Sequence, residues 1–218
     1  MTLSANSAAR PPRVTVARWG VVLLAAGQSA RMGQPKQLLH VDGRPLVVRA
    51  AEEALASEAW PVIVVVGAHA NRVKPALIRH PVLLSENPAW EEGMASSIRT
   101  GLATLECFSR AIDGVVVALC DQPGFSADSL RLLVQQQRET GAGIVAARYL
   151  NRLGAPALFT RRYFPALHAL NGDEGARHVI VSAVGASDAA EVPLPELGVD
   201  LDTPEDYRQH LAHPKGTP

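Results

Sequence analysis

The chain has 218 residues, of which 47% are hydrophobic and 19% are charged, a balance typical of a globular enzyme built as one large α/β domain. Its 21 basic and 21 acidic residues cancel, so it lacks the basic surface that would bind nucleic acid without sequence preference. Two cysteines are too few for a disulfide scaffold, and no apolar run approaches the roughly 18–20 residues that span a bilayer. We therefore expect a cytoplasmic protein that binds neither nucleic acid nor a membrane.

Strands and helices are predicted to alternate between two terminal segments. Residues 1–17, rich in Ala, Ser, Pro and Arg, are predicted to be a disordered leader, residues 18–212 the folded domain, and residues 213–218 a frayed tail. Short apolar runs predict strands at 20–26, 61–67, 81–84, 114–120 and 143–149. Helical patterns predict helices at 45–57, 69–79, 94–105, 126–139, 161–170, 173–183 and 203–211.

The runs at 61–67 and 114–120 are rich in valine and show no polar alternation. A strand that is apolar on both sides is buried on both faces, as in a parallel sheet covered by helices. The alternation of strands and helices then predicts a three-layer, doubly wound α/β fold with a mostly parallel sheet. Ligands of such folds bind beyond the carboxyl ends of the strands, so the loops after 26, 67, 84 and 120 are expected to carry the chemistry.

The loop after the first strand combines mostly small residues with fixed positive charge. Residues 25–30 let the backbone come close to a ligand, so that successive N–H groups can cradle phosphate oxygens. Arg31 and Lys36 add two cations beside them, which suits a triphosphate. The segment matches neither G-x-x-x-x-G-K-[ST] nor G-x-G-x-x-G, and the G-x-G-x-x-A match at 141–146 precedes a strand, which indicates a turn.

Residues 24–36 read L-A-A-G-x-S-x-R-M-G-x-x-K and resemble the signature loop of the MobA-like NTP transferase family. The continuation to Leu46 is similar to that family's K-x-L-L…G-x-P-L, and similar segments extend to about residue 207. The resemblance implies a Rossmann-like nucleotidyltransferase fold. It also implies that Arg31 and Lys36 bind the phosphates of a nucleotide contacted by Leu24, Ala25, Ala26 and Gly27.

Asp121 directly follows the predicted strand 114–120, so its carboxylate is expected in the ligand crevice, although a strand-end Asp can also be a simple capping residue. In the family, D-Q-P stands at this strand end and its Asp binds the metal, which implies the same for Asp121. The family motif D-T-P-E-D carries a second ligand that maps onto Asp202, with Asp200 as the alternative. Mg²⁺, or Mn²⁺ in its place, suits two carboxylates completed by phosphate oxygens and water. From the residues alone, Thr203 is predicted to N-cap the last helix.

Residues 87–102 resemble N-P-x-W-x-x-G-M-x-x-S-[IL]-x-x-G-L, a segment typical of the molybdopterin cytidylyltransferase branch of the family. Free N–H groups and hydroxyls at a helix start can bind ribose or phosphate, so Ser97 is a candidate nucleotide contact; ordinary helix capping is the alternative. Asn87 is the candidate for a base or ribose contact. The L-A-A-G loop, where guanylyltransferase relatives usually show L-A-G-G, and the lack of an acid before Lys36 both favour CTP over GTP.

Two later segments, 154–159 and 172–177, resemble the family's G-H-P-x-L-F and G-D-x-G-A-R, where the acceptor end of the site is expected. Gly172, Asp173 and Arg177 are the candidate acceptor-binding residues, with Arg177 a candidate for the acceptor's phosphate. Ala155 stands where the family usually has His and cannot make that side chain's contact.

Together these expectations describe a metal-dependent transfer of CMP from CTP to the molybdopterin cofactor, with release of pyrophosphate and with Asp121, Lys36 and Arg31 as catalytic residues. The product would pass to a molybdoenzyme partner. One alternative is a transferase of the same fold that uses GTP or another NTP and a different phosphorylated acceptor, such as a sugar phosphate. Others are a dinucleotide-dependent oxidoreductase, which the missing glycine fingerprint disfavours, and a non-catalytic chaperone module that binds the nucleotide or cofactor.

Overall fold

The structure, a computed structural model, describes residues 15–173 and 175–212. Its main sheet has seven strands in the order β5-β4-β1-β6-β8-β7-β9. These strands are Trp19–Ala25 (β1), Val62–Val66 (β4), Leu83–Glu86 (β5), Gly114–Leu119 (β6), Ile144–Tyr149 (β7), Arg152–Thr160 (β8) and Ala189–Pro193 (β9). Two short strands, His40–Val41 (β2) and Arg44–Pro45 (β3), form a separate antiparallel hairpin. Strand β8 runs antiparallel to both of its neighbours, and the other neighbouring pairs of the main sheet are parallel.

Helices cover both faces of this sheet. Along β1, Val21 and Leu23 point to one face and Val22 and Leu24 to the other, and all four are buried. The first face packs against Leu46–Ala56 (α1), Ala70–Leu77 (α2) and Ala127–Thr140 (α4). The second packs against Met94–Phe108 (α3), Phe164–His168 (α5) and Arg177–Gly185 (α6). The predicted three-layer, doubly wound fold with a mostly parallel sheet is confirmed.

Neither β8 nor β9 is among the strands that the sequence patterns predict. In β8, Gly154 and Pro156 interrupt the apolar run, and a proline cannot donate a ladder hydrogen bond. The structure accommodates both, because the pairing with β7 shifts register between Ala146 and Ala147, which leaves Ala155 and Pro156 in a bulge. The segment 154–159, which resembles a family motif, therefore lies in an antiparallel strand of the main sheet that is buried from Pro156 onward.

The predicted helices are present, with shifted ends. Helix α6, predicted to begin at residue 173, begins at Arg177, because Gly172 and Gly175 have φ angles of 70° and 57° that a right-handed helix cannot include. The predicted helix at 161–170 is a 3-10 turn, Arg161–Tyr163, followed by the short α5. The last helix, Pro204–Ala212 (α7), packs through Tyr207 against a small apolar cluster around Leu201.

The folded domain begins before the predicted boundary at residue 18. Val16 is fully buried, and its backbone N–H donates to Gln137 Oε1 at 2.9 Å. The predicted leader therefore ends earlier than residue 17; its residues 1–14 and the predicted tail at 213–218 lie outside the described residues. Among the helices that the structure describes, none is long and apolar enough to cross a membrane.

Candidate active site

A cavity of about 320 Å³ lies beyond the carboxyl ends of β1 and β6, beside the start of α3. The predicted residues that line it are Leu24, Ala25, Ala26, Gly27, Lys36, Ser97, Asp121 and Asp173. Residues that line it without having been predicted include Gln28, Gln37, Trp90, Glu91, Met94 and Cys120. The cavity is where a doubly wound sheet is expected to bind its ligand.

The loop after β1 is held in shape by Gln37, whose side chain is buried. Its amide donates to the carbonyls of Ala25 at 3.1 Å and Gly27 at 2.7 Å. Ser29, in a left-handed conformation, accepts the Lys36 N–H at 3.1 Å through its hydroxyl. These bonds fold the loop back on itself, so that Lys36 faces the end of β1 and the cavity beyond it.

The two predicted metal acids meet on one cation. The Lys36 ammonium donates to Asp121 Oδ2 and, at 2.9 Å, to Asp202 Oδ1. Arg31, which is mostly exposed, donates to Asp202 Oδ2 at 2.8 Å. The four predicted charged residues therefore form a single cluster at the cavity, a convergence that their spacing in the sequence could not show.

Asp202 reaches the Lys36 ammonium because the residue before it is anchored beneath the loop. Leu201 is fully buried, and its N–H donates to the Asp121 carbonyl at 3.3 Å. Beyond it, the Thr203 hydroxyl accepts the N–H of Asp206, while the Asp206 carboxylate accepts the N–H of Thr203. This reciprocal capping box begins α7 and confirms Thr203 as its N-cap.

Burial and ion pairing shift the pKa values of Lys36 and Asp202 in opposite directions. Burial alone lowers the pKa of Lys36, but the charges and hydrogen bonds of Asp121 and Asp202 outweigh it and hold that pKa above its ordinary value. Burial alone raises the pKa of Asp202, but Lys36 and Arg31 hold it below its ordinary value. Lys36 is thus a cation and Asp202 an anion near neutral pH.

The donor set of the two acids fits a divalent cation. Asp121 Oδ1 is buried and has no hydrogen-bond partner among the described residues, so one carboxylate oxygen is available as a ligand. Within the same residues, no group of three or more His, Cys or acidic side chains could hold a metal ion. Two carboxylates alone do not fill the coordination shell, so phosphate oxygens and water would complete it, which is the usual coordination of Mg²⁺ in proteins. Asp200, the alternative ligand, instead contacts Gln122 at 3.4 Å and Arg152 at 3.5 Å.

Asn87 supports the cavity wall from behind. Its side chain is 1% exposed, and its amide donates to Ser96 Oγ at 2.8 Å and Ser97 Oγ at 3.0 Å. Its Oδ1 accepts the Ala89 N–H at 3.0 Å. Because these bonds use its amide donors and its acceptor inside the protein, Asn87 is not placed to make the predicted base or ribose contact. We correct its role to positioning Ser97, which does line the cavity.

The three predicted acceptor residues lie in different places. Gly172 has a backbone role: its carbonyl accepts the Ala95 N–H at 3.1 Å, and a Cβ added at Gly93 would lie 2.7 Å from its carbonyl oxygen. Asp173 lines the first cavity. Arg177 lines a second cavity of about 180 Å³, which shares Leu24, Met94 and Leu119 with the first. Of the three, Asp173 lines the first cavity, whereas Gly172 and Arg177 do not.

Several residues of the site were missed by reasoning from the sequence. One feature of the sequence could have identified Gln37: it is a polar residue between Lys36 and the two apolar residues Leu38 and Leu39. No feature of the sequence identified Tyr149 and Arg152, because β8 itself was not predicted. These two residues line the second cavity at the turn between β7 and β8.

Comparison with known proteins gives the chain a family. The MobA-like NTP transferase domain matches residues 21–188. The chain is 33% identical over 196 residues to purine catabolism protein PucB of Bacillus subtilis, covering 85% of this chain and 92% of that protein. It is 33% identical over 191 residues to nicotine blue oxidoreductase of Paenarthrobacter nicotinovorans, covering 84% and 92%.

Two further likenesses concern the cofactor and the metal. A probable molybdenum cofactor guanylyltransferase of Rhodopirellula baltica is 31% identical over 129 residues, covering 58% of this chain and 59% of that protein. The solved structure of Rv0371c from Mycobacterium tuberculosis in complex with manganese superposes with a TM-score of 0.73 at 27% identity, covering 89% of this chain and 98% of that one. With its fold, its charged cluster and these matches, the chain belongs to the MobA-like NTP transferase family, a family of nucleotidyltransferases.

Proposed function

We propose that this chain transfers CMP from CTP to a molybdopterin-type acceptor and releases pyrophosphate. One observation carries the proposal: Asp121 and Asp202, from segments far apart in the chain, meet on the Lys36 ammonium beside the cavity that the loop after β1 lines. Two convergent carboxylates next to a cationic loop of mostly small residues suit a metal-bound triphosphate.

Asp121 and Asp202 would hold the divalent cation, Mg²⁺ or Mn²⁺, with the unpaired Asp121 Oδ1 as one ligand. A cation bound there supplies a Lewis acid that draws charge from the phosphates. The mycobacterial relative that forms a complex with manganese supports a divalent ion in this fold.

The chain's own residues bind and orient the substrates. Lys36 and Arg31 offset the charge that develops on the leaving pyrophosphate, together with the N–H groups of the loop. An oxygen of the acceptor's phosphate forms a bond to the α-phosphorus as the bond to the pyrophosphate oxygen breaks, and because this phosphate is already ionised at neutral pH, no general base is needed. Cys120 lines the cavity, but burial raises the pKa of its thiol and keeps it protonated, so it is a poor nucleophile.

The choice of CTP is supported by the sequence, and the choice of molybdopterin by the sequence and by the name of one relative. Ala26 stands where guanylyltransferase relatives usually have Gly, and no acid precedes Lys36. Residues 87–102 resemble the cytidylyltransferase branch, and a relative is named a probable molybdenum cofactor guanylyltransferase. Delivery of the product to a molybdoenzyme belongs to the same proposal.

An oxidoreductase is the second function to test, because a relative at 33% identity bears that name. Two observations favour nucleotidyl transfer. The loop after β1 lacks the G-x-G-x-x-G sequence that brings a dinucleotide's pyrophosphate against a helix. The charged cluster places Lys36 between two carboxylates, an arrangement that suits a metal-bound triphosphate and has no evident use in hydride transfer.

The deciding experiment measures pyrophosphate release from CTP, GTP, ATP and UTP, each with and without molybdopterin, in Mg²⁺, in Mn²⁺ and in excess chelator. We expect release that requires both acceptor and metal and that is fastest with CTP. Oxidation of NADH or NADPH by the same preparation tests the oxidoreductase function. Absence of release with every nucleotide, or release unaffected by chelator, would overturn the proposal; nucleotide binding without release would identify a chaperone module instead.

A further inference from the structure

A second set of hydrogen bonds holds the loop after β1, and it comes from the turn between β4 and α2. The Ala68 N–H donates to the Ala26 carbonyl at 3.1 Å, and the imidazole Nε2 of His69 lies 2.8 Å from the Gln28 carbonyl. The Gln37 amide binds the two carbonyls that alternate with these. Four consecutive carbonyls of the loop therefore accept hydrogen bonds from two other segments of the chain.

The bond from His69 fixes the backbone at the point where the loop changes direction. Gln28 lines the first cavity, and the next residue, Ser29, has a φ of 59°, in the left-handed region. A carbonyl oxygen only accepts, so the Nε2 atom of His69 carries the hydrogen and donates it. The imidazolium and one neutral tautomer both carry that hydrogen, so the bond forms whether or not the ring is charged.

The His69 side chain acts on this loop and not on its own helix. His69 precedes α2 in the N-cap position, but its side chain makes no capping hydrogen bond. The helix begins through backbone bonds instead, because the N–H groups of Arg72 and Val73 both donate to the His69 carbonyl at 2.9 Å. Replacement of the imidazole therefore leaves the bonds that begin α2 in place.

The turn that carries His69 is packed directly against the loop. A Cβ added at Gly67 would lie 2.8 Å from the Ala26 carbonyl oxygen and 2.7 Å from the Trp90 Cβ, so this close approach requires glycine. Trp90 also lines the first cavity. The imidazole therefore projects from a closely packed base, and its hydrogen bond ties the end of β4 to the backbone beside the cavity.

We propose that His69 is a positioning residue for the nucleotide, whose Nε2–H holds the Gln28 carbonyl and with it the backbone of residues 26–28 that the nucleotide meets. The inference rests on the proposed function, because it concerns the loop that receives the NTP. His69 lines neither of the two cavities, so it acts through the loop. A loop that is held in its bound shape before the ligand arrives loses less conformational entropy on binding, which raises affinity. Because every NTP meets the same backbone, the gain is equal for each base.

The test measures the affinity for CTP and for GTP in the presence of Mn²⁺, by isothermal titration calorimetry, for wild type, His69→Phe and His69→Gln. His69→Phe keeps a ring and removes the donor, so we expect it to weaken binding of both nucleotides by the same factor, about five- to tenfold. His69→Gln supplies an amide N–H and should restore the affinity to within about twofold of wild type. Both variants should melt at the wild-type temperature, which separates positioning from a general loss of stability.

The matched control is His168→Phe, which removes the Nε2 contact of another histidine, 2.7 Å from Glu106, and should leave nucleotide affinity unchanged. Wild-type affinity of His69→Phe, or a loss in His69→Gln as large as that in His69→Phe, would overturn the inference. A loss for one nucleotide alone would also overturn it, because His69 would then read the base.

The two proposals fail separately. If wild-type protein releases no pyrophosphate while His69→Phe loses affinity and His69→Gln restores it, the assigned reaction is wrong and the positioning role stands. If release is intact and His69→Phe binds both nucleotides normally, only the positioning role is wrong.

Discussion

The two cavities adjoin each other but are built in different ways. The first cavity, which we propose binds the nucleotide, is lined by the loop after β1, the end of β6 and the start of α3, and its charges are already paired with one another through Lys36. The second cavity collects residues from α3, β8, α6 and the segment before α7, and its arginines are weakly paired or unpaired among the described residues. Both cavities are assembled from distant parts of the chain, but the charged groups of the first balance one another before a ligand binds. The second has arginines that can accept another anion, and we expect it to be the part that sets acceptor specificity.

The largest effect that this comparison predicts comes from Asp121. Asp121→Asn keeps the size of the side chain and leaves untouched the backbone carbonyl that accepts the Leu201 N–H, so the fold should survive. Loss of a carboxylate ligand should lower the rate of pyrophosphate release at least about 100-fold. Release kinetics together with a thermal melt measure both. Asp128→Asn, on the exposed start of α4, is the matched control and should retain full activity.

Substitution of Lys36 should give the next largest effect. It should lower the rate of pyrophosphate release but strengthen the binding of Mn²⁺ in the absence of nucleotide. Lys36→Met removes a cation from the phosphates, so the rate should fall by about 10- to 100-fold. In the absence of nucleotide, however, the ammonium occupies the space between the two carboxylates, so its removal should strengthen binding of Mn²⁺ alone. Electron paramagnetic resonance of free Mn²⁺ measures this binding. Weaker Mn²⁺ binding by Lys36→Met would show that the ammonium does not compete with the metal.

A substitution at Gly154 should affect the second cavity and leave the first cavity unchanged. A Cβ at this position would lie 2.8 Å from the Tyr149 hydroxyl, so Gly154→Ala must displace the phenol from Gln122. We expect KM for the acceptor to rise by about fivefold, a loss of roughly 1 kcal/mol, while KM for CTP is unchanged. Steady-state kinetics with each substrate varied in turn provide the measurement. An equal rise in both KM values would mean that the two cavities are coupled through β8.

Asn87 should have the smallest effect on the reaction and a clear effect on stability. Asn87→Ala leaves two serine hydroxyls and a backbone N–H without their partner, so it should lower the free energy of unfolding by about 1–3 kcal/mol. KM for CTP should change less than twofold, because the side chain does not reach the cavity. Denaturant unfolding and CTP kinetics are measured on the same preparation. A tenfold rise in KM without loss of stability would restore the base or ribose contact that the sequence suggested.

The sequence predicts the parts of this molecule that are local. Asp121 could be placed because it ends a strand that is apolar on both faces, and the loop at 24–36 because its residues act together over a short span. The predicted base or ribose contact of Asn87 was wrong, because a sequence pattern shows that an amide is present but not that its hydrogen bonds are made inside the protein. Strand β8 was missed because its pairing depends on a bulge at Ala155 and Pro156, a feature that exists only once β7 lies beside it.

The central claim is that Asp121 and Asp202 share one divalent cation. Mn²⁺ binding in the presence of a non-hydrolysable CTP analogue tests it most directly, measured by electron paramagnetic resonance for wild type, Asp121→Asn, Asp202→Asn and the double variant. We predict that each single substitution weakens Mn²⁺ binding at least about tenfold and that the double variant is little worse than either one, because both remove ligands of the same ion. Wild-type Mn²⁺ affinity in either single variant would contradict the shared site.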